Sequence, residues 1–256
     1  MRKNIAGVLY SLVYGYPAAI QNDPIEKKPL YHFLPGTRVF SIGTLGCNLG
    51  CIFCQNDSLS AYGPVENASH RYIAPEKIVG SALQCNCRSI AYTYNEPTVF
   101  AEYAVDTAKL ARQAGLKNVF VTNGFISKEA AAEIYPYIDA ANFDMKGFSE
   151  DFYNSMCKGS LHPVLESIAY FNSLPEKHLE LTNLVIPEKN SSPEMIDLWL
   201  DWVEEHLGFE VPLHFSAYHP AYEFRNTPPT PPEMLYKIAS HVQERGFKHV
   251  HLGNIR

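Results

Sequence analysis

The sequence predicts an α/β fold: a partial (β/α)6 barrel of TIM type, with a short N-terminal β extension and one additional C-terminal strand. Three observations predict it. Strand-like and helix-like stretches alternate from residue 38 to residue 218, the pattern of parallel strands joined by helical crossovers. The clearest helix, 96–115, carries Phe100, Tyr103, Ala104, Thr107, Leu110, Ala111 and Ala114 at spacings of three and four, with Gly115 as a stop. The length of 256 residues suits one barrel, which ordinarily takes roughly 200–250.

Taken in order, residues 5–20 read as two short strands around Gly15, and 23–36 as a turn-rich, irregular stretch. Together they give an N-terminal extension over 1–36, followed by the barrel over 37–256 in what is expected to be a single domain overall. Six strands start near 38, 89, 118, 140, 179 and 212, and a last one covers 249–254. Helices are expected at 74–83, 96–115, 127–135, 149–157, 162–173, 192–208 and 231–245. Residues 55–74, polar and containing Gly63-Pro64, read as a long surface loop. In such a fold functional residues gather at the C-terminal ends of the strands.

Composition narrows the function. A hydrophobic content of 46% with 19% charged residues fits a compact domain. No apolar run approaches the about 18 residues that a membrane span needs, so no membrane association is expected. The N-terminus lacks a secretory cleavage pattern, which makes the cytoplasm the expected location. A net charge of −6 without a basic stripe argues against a nucleic-acid partner.

The six cysteines are distributed unevenly. Cys47, Cys51 and Cys54 fall within eight positions, in "GTLGCNLGCIFCQN", directly after the strand "RVFSIG". Thiolate sulfur suits iron–sulfur clusters and zinc. A structural zinc needs four protein ligands, and the loop offers three; Cys85, Cys87 or a distant His could complete such a site. A four-iron cluster held by three thiolates would instead keep one iron open to another ligand. Iron–sulfur is the favoured reading, with zinc and unrelated thiols as alternatives. Gly46 and Gly50 allow tight turns, and Phe53 stands just before the last cysteine. Cys85, Cys87 and Cys157 read as buried or bystander thiols.

The C-x3-C-x2-C loop, with its aromatic before the third cysteine, resembles the cluster motif of the radical S-adenosylmethionine (radical SAM) superfamily. "DPIEKKPLYHFLPG", "TYNEPTVF", "FDMKGF", "LVIP", "PLHFSAYHP" and "HLGN" extend the likeness to the branch of pyruvate formate-lyase activating enzymes. More narrowly they resemble the AmmeMemoRadiSam-system proteins, against which this chain is expected to be a short or trimmed form. The resemblance implies that Cys47, Cys51 and Cys54 hold three irons of a 4Fe–4S cluster and that S-adenosylmethionine chelates the fourth. It implies reductive cleavage to methionine and a 5′-deoxyadenosyl radical, which abstracts a substrate hydrogen. It also implies a protein or peptide substrate, as for a glycyl-radical-enzyme activase, and an electron donor such as flavodoxin or ferredoxin. Radical modification of another macromolecule or small molecule is the alternative; a non-catalytic zinc or iron–sulfur binding module is a second.

The same resemblance assigns cofactor contacts. In "TYNEP" Asn95 and Glu96 stand where the family has a Gly-Gly-Glu-like segment, so Glu96 could accept from the ammonium; helix capping is the structural alternative. Thr122 and Asn123 end the third strand and are expected at the methionyl or ribose groups. Asp144 is assigned to the ribose hydroxyls and Lys146 to the carboxylate; period two puts both on one face, and a mutual salt bridge is the plainer explanation. Thr182 and Leu184 on the fifth strand and His214 on the sixth complete the set, with Phe53 beside the cluster. His249 and His251 read as structural or surface groups.

Overall fold

The computed structural model describes residues 1–61 and 71–255; part of the loop expected over 55–74 lies outside them. The chain opens with an antiparallel hairpin, β1 (Arg2–Ile5) and β2 (Val8–Ser11), which turns at Ala6-Gly7 rather than at Gly15. A third strand, β3 (Ala19–Pro24), pairs antiparallel with β4 (Arg38–Gly43). Seven strands then run parallel: β4, β5 (Ser89–Tyr92), β6 (Lys117–Thr122), β7 (Ala140–Asp144), β8 (His178–Val185), β9 (Leu213–Ala217) and β10 (Val250–Gly253). The sheet order is β10-β9-β8-β7-β6-β5-β4-β3. Each parallel strand lies beside its successor, as expected for a partial barrel. Six β/α units run from β4 through β9, with β10 as the extra strand.

Helices cross over between the strands. They are α1 (Asp57–Ser60), α2 (Pro75–Gln84), α3 (Ala101–Gln113), α4 (Lys128–Ile134), α5 (Glu150–Phe152), α6 (His162–Ser173), α7 (Pro193–His206) and α8 (Pro232–Glu244). Their starts follow local chemistry. Proline occupies the first turn of α2, α6, α7 and α8, where its missing N–H costs nothing. Ser127 and Ser192 accept from the backbone N–H groups of Ala130 and Met195. The helix α3 buries Tyr103, Ala104, Thr107, Ala108 and Ala111 against the sheet; of the expected stripe, Leu110 and Ala114 are only half-buried and Phe100 ends a separate 3₁₀ turn. The buried Thr107 hydroxyl donates to the Tyr103 carbonyl at 2.7 Å, so no polar group is stranded there.

The stretch expected as one helix over 149–157 is two structures. After α5 the backbone widens into a π turn, Tyr153–Cys157, and ends at Lys158 in the left-handed region. This turn holds the cysteine loop: Gly50 N–H donates to the Cys157 carbonyl at 2.8 Å and Ile52 N–H to that of Met156 at 3.0 Å.

Candidate active site at the C-terminal ends of the strands

The cysteine loop leaves β4 at Gly43. A Cβ there would lie 2.5 Å from the Thr93 carbonyl oxygen, so only glycine lets the ends of β4 and β5 come this close. Gly46 then takes φ +90. Asn95 clamps the turn. Its Oδ1 accepts from Thr44 N at 3.0 Å, and its Nδ2 donates to Thr44 Oγ1 at 3.0 Å and to the Gly46 carbonyl at 2.8 Å. All three cysteines line one cavity of about 860 Å³. Phe53 is buried beside them and packs on Phe152, ring centroids 5.9 Å apart.

Burial pushes the Cys47 thiol up to about 12, assisted by the Glu96 carboxylate. The Cys51 thiol is raised by a hydrogen bond with Cys157 and by burial, and burial raises Cys54 as well. Without a metal these thiols hold their protons, so binding iron releases them. Cys157 is buried, as expected, and lies close enough to Cys51 to raise that thiol. Cys85 and Cys87 precede β5, at the opposite end of the sheet. The Cys87 sulfur lies 3.4 Å from Asn22 Oδ1, so neither can complete a zinc site with the loop. Among the described residues, no three His, Cys, Asp or Glu side chains are set to hold a single metal ion.

Glu96 is 2% exposed and lines the cavity. Its Oε1 accepts from Thr98 N at 3.0 Å, Thr98 Oγ1 at 2.7 Å and Thr122 Oγ1 at 2.8 Å, and its Oε2 from Asn123 N at 2.8 Å. Burial outweighs these donors and raises the carboxyl. Glu96 therefore caps the 3₁₀ turn Pro97–Phe100 and ties β6 to it, with one lone pair of Oε2 left for a ligand. Asn123 reaches the cluster loop directly: its Nδ2 is 3.6 Å from Cys47 Sγ and donates to Asn48 Oδ1 at 2.9 Å.

Asp144 and Lys146 face the cavity from the end of β7, 3.0 Å apart. Burial disfavours the ammonium, but the Asp144 carboxylate outweighs it, and Lys146 is held charged. Thr182 and Leu184 line the wall from β8. Thr182 Oγ1 is buried without a hydrogen-bond partner, an orphan of the kind a ligand satisfies. Three soft thiols for iron, a charged pair and an unspent hydroxyl fit a cluster with an amino-acid-like ligand beside it.

Two expected contacts fail. Thr122 spends its hydroxyl inside the chain, donating to Glu96 and accepting from Gly124 N at 3.1 Å. Val121, one residue earlier, lines the cavity instead. His214 is the second residue of β9, near the strand's N-terminal end. Its Nε2 lies 2.6 Å from Glu180 Oε2, in a cluster with His178, His32 and His251 at the far end of the barrel. Ser216, two residues on, is the β9 side chain at the cavity. Sequence reasoning missed Lys28 and Tyr94, which also line it. Both lie inside the quoted motifs "DPIEKKPL" and "TYNEP", the one signal that could have marked them.

A family model of the radical SAM superfamily matches residues 41–200. An uncharacterized protein of Methanocaldococcus jannaschii, MJ0808, is 43% identical over 254 residues, 99% of this chain and 75% of that protein. Among solved structures, a domain of pyruvate-formate lyase-activating enzyme from Bacteroides vulgatus matches with a TM-score of 0.56 at 15% identity, over 65% of this chain and 99% of that one. Streptococcus suis SuiB matches in two structures at 14% identity. The one bound to the precursor peptide SuiA has a TM-score of 0.63, over 85% of this chain and 48% of that one. The one bound to S-adenosylmethionine has a TM-score of 0.62, over 83% and 49%. The chain thus spans about half the length of SuiB. At these identities the likeness concerns the fold.

Proposed function

The chain belongs to the radical SAM superfamily, whose enzymes use a 4Fe–4S cluster and S-adenosylmethionine, and from that premise we propose that the cavity is where a substrate hydrogen atom is abstracted. Cys47, Cys51 and Cys54 hold three irons in this reading. Once bound there and reduced by an external electron donor, the cluster would supply the electron for reductive cleavage of S-adenosylmethionine. The chain's own residues orient: Lys146 Nζ donates to the cofactor carboxylate, Asp144 accepts from a hydroxyl nearby, Thr182 Oγ1 donates or accepts, and Glu96 Oε2 takes one N–H of the ammonium. Asn123 directs an amide N–H at the Cys47 sulfur.

The observation that carries the reading is three thiols from one loop facing an orphaned hydroxyl and a charged pair across one cavity. Ligand sites span roughly 300–1,000 Å³, so about 860 Å³ leaves room for a small substrate or a substrate side chain beside the cofactor. An activase that removes hydrogen from a glycine of a partner protein is the second reading. The folds of pyruvate-formate lyase-activating enzyme and of peptide-bound SuiB support it.

Anaerobic reconstitution with iron and sulfide, followed by S-adenosylmethionine and a strong reductant, tests the reading. The expected product is 5′-deoxyadenosine, lost in Cys51→Ala together with the bound iron and sulfide. Full product yield from that variant, or one zinc and no labile sulfide in the native protein, overturns it. A glycyl-radical doublet in the electron paramagnetic resonance spectrum of an added partner decides for the activase reading.

A further inference from the structure

Lys28 has no part in the cofactor assignment, yet it is a buried cation in the cavity wall. It is 3% exposed and lines the chamber with Tyr94. Its Nζ donates to Asp23 Oδ2 at 2.8 Å, stands 3.5 Å from the Tyr94 hydroxyl and lies 4.4 Å above that ring. Tyr94 donates in turn to the same Asp23 Oδ2 at 2.9 Å. The neighbouring Lys27, at the rim of the same cavity, meets Asp23 Oδ1 at 3.1 Å with 70% of its side chain exposed. Tyr94 takes φ +74, a costly conformation for a bulky side chain of the kind that concentrates where function demands it. The Lys28 segment is pinned beneath the barrel by Asn142 Nδ2, which donates to the Pro29 carbonyl at 2.7 Å.

Helix and sheet packing need none of this. A buried ion pair costs desolvation and adds little stability over an apolar pair. A lysine whose amine is partly desolvated, next to a carboxylate and a phenol, is a nucleophile with its proton carriers in place. We propose that Lys28 forms a Schiff base with a substrate carbonyl, an aldehyde or ketone, with Asp23 and Tyr94 moving the protons. The inference rests on the preceding reading only in taking this cavity as the substrate chamber.

The step balances. The Lys28 ammonium gives a proton to Asp23, and the neutral amine adds to the carbonyl carbon. The resulting carbinolamine loses its oxygen as water, taking back the proton that Asp23 holds, with Tyr94 hydrogen-bonded to the departing hydroxyl. One water leaves, an iminium forms, and Asp23 returns to carboxylate. Burial favours the first transfer by lowering the Lys28 pKa, while the ion pair opposes it and, against burial, holds the Asp23 carboxyl at about 2. The iminium tethers the substrate and conjugates with a radical on the adjacent carbon, which marks that carbon as the hydrogen to be removed.

The test uses the cluster-loaded protein with no S-adenosylmethionine and no electron donor. Pyruvate, glyoxylate or acetaldehyde is added, then sodium cyanoborohydride, and peptides are mapped by mass spectrometry. The expected result is a reduced adduct at Lys28 in excess over the exposed Lys27, lost in Lys28→Arg and diminished in Asp23→Asn. Circular dichroism of Lys28→Arg, which keeps the cation, checks that the fold is retained. No adduct with any of the three carbonyls overturns the proposal, and so does labelling confined to exposed lysines or unchanged in Lys28→Arg. Because nothing in this assay cleaves S-adenosylmethionine, its failure leaves 5′-deoxyadenosine formation as a separate result.

Discussion

The side-chain amide of Asn123 stands 3.6 Å from the sulfur of Cys47 and 2.9 Å from the Asn48 amide oxygen. One residue at the end of β6 thereby fixes two consecutive residues of the cysteine loop. Its Oδ1 also accepts from Phe125 N at 2.8 Å, which sets the turn that aims the amide.

Replacing Asn123 with Ala removes these bonds and is expected to cost about 1–2 kcal/mol of stability, at roughly 1 kcal/mol per net hydrogen bond. Because N–H donors to cluster sulfur raise the reduction potential, the reconstituted variant should also show a more negative midpoint. Chemical denaturation and a potentiometric titration followed by electron paramagnetic resonance read the two effects. An unchanged potential would remove Asn123 from the cluster's surroundings.

Lys146 gives a cleaner test of cofactor binding, because its backbone bonds with Tyr153 Oη and Asn190 Nδ2 survive loss of the side chain. Lys146→Ala should weaken S-adenosylmethionine binding by about 1.5–3 kcal/mol, the range for a hydrogen bond to a charged group. Equilibrium dialysis on the reconstituted, unreduced protein measures it. Wild-type affinity in the variant would leave Lys146 as a partner of Asp144 alone.

Glu180 anchors the far end of the barrel. Fully buried, it accepts from Tyr31 N, His32 N, His178 Nε2 and His214 Nε2 at 2.6–3.0 Å. Burial opposes its charge, but the two imidazoles and two backbone donors prevail and hold the carboxyl down to about 2. Glu180→Ala strands four donors and is expected to cost about 3–5 kcal/mol, as when one partner of a buried charged network is removed. Thermal unfolding measures it, and a loss below that of an ordinary surface variant would contradict the network.

The same cluster sets a pH dependence. Burial and the neighbouring His214 and His32 hold His251 near 4, against an ordinary value of 6.5. The folded state thus refuses a proton that the unfolded chain accepts. Stability from this group is complete above pH 6.5 and falls as the pH drops toward 4. Melting temperatures of His251→Gln should decline less steeply than wild type across that window. Parallel slopes would mean that other groups carry the acid sensitivity.

The sequence reveals the fold well because each β/α unit announces itself locally, through apolar strands, periodic helices and first-turn prolines. The cluster loop is legible for a similar reason: its three cysteines lie on one short stretch whose spacing is the signal. The His214 error has its source in height along the strand. Period two correctly places His214 on the inner face of β9. Whether that face meets the cavity or the barrel's far end depends on where the strand begins, and Ser216 is the residue that reaches the top. Thr122 fails for a different reason, since successive side chains of a strand point to opposite faces and it is Val121 and Asn123 that share the cavity side of β6. Lys28 and Tyr94 escape because their meeting depends on a positive φ and on a loop passing beneath the barrel, neither written in a local pattern. The π turn before Lys158 reads as ordinary helix, so the approach of Cys157 to Cys51 is invisible until the backbone is seen.

That π turn has a consequence for how the protein matures. Its carbonyls grip the amides of Gly50 and Ile52, while Asn95 grips the other side of the loop. The shape of the loop therefore rests on bonds that use none of the three cysteine sulfurs. Iron can take those sulfurs without breaking a bond that holds the loop.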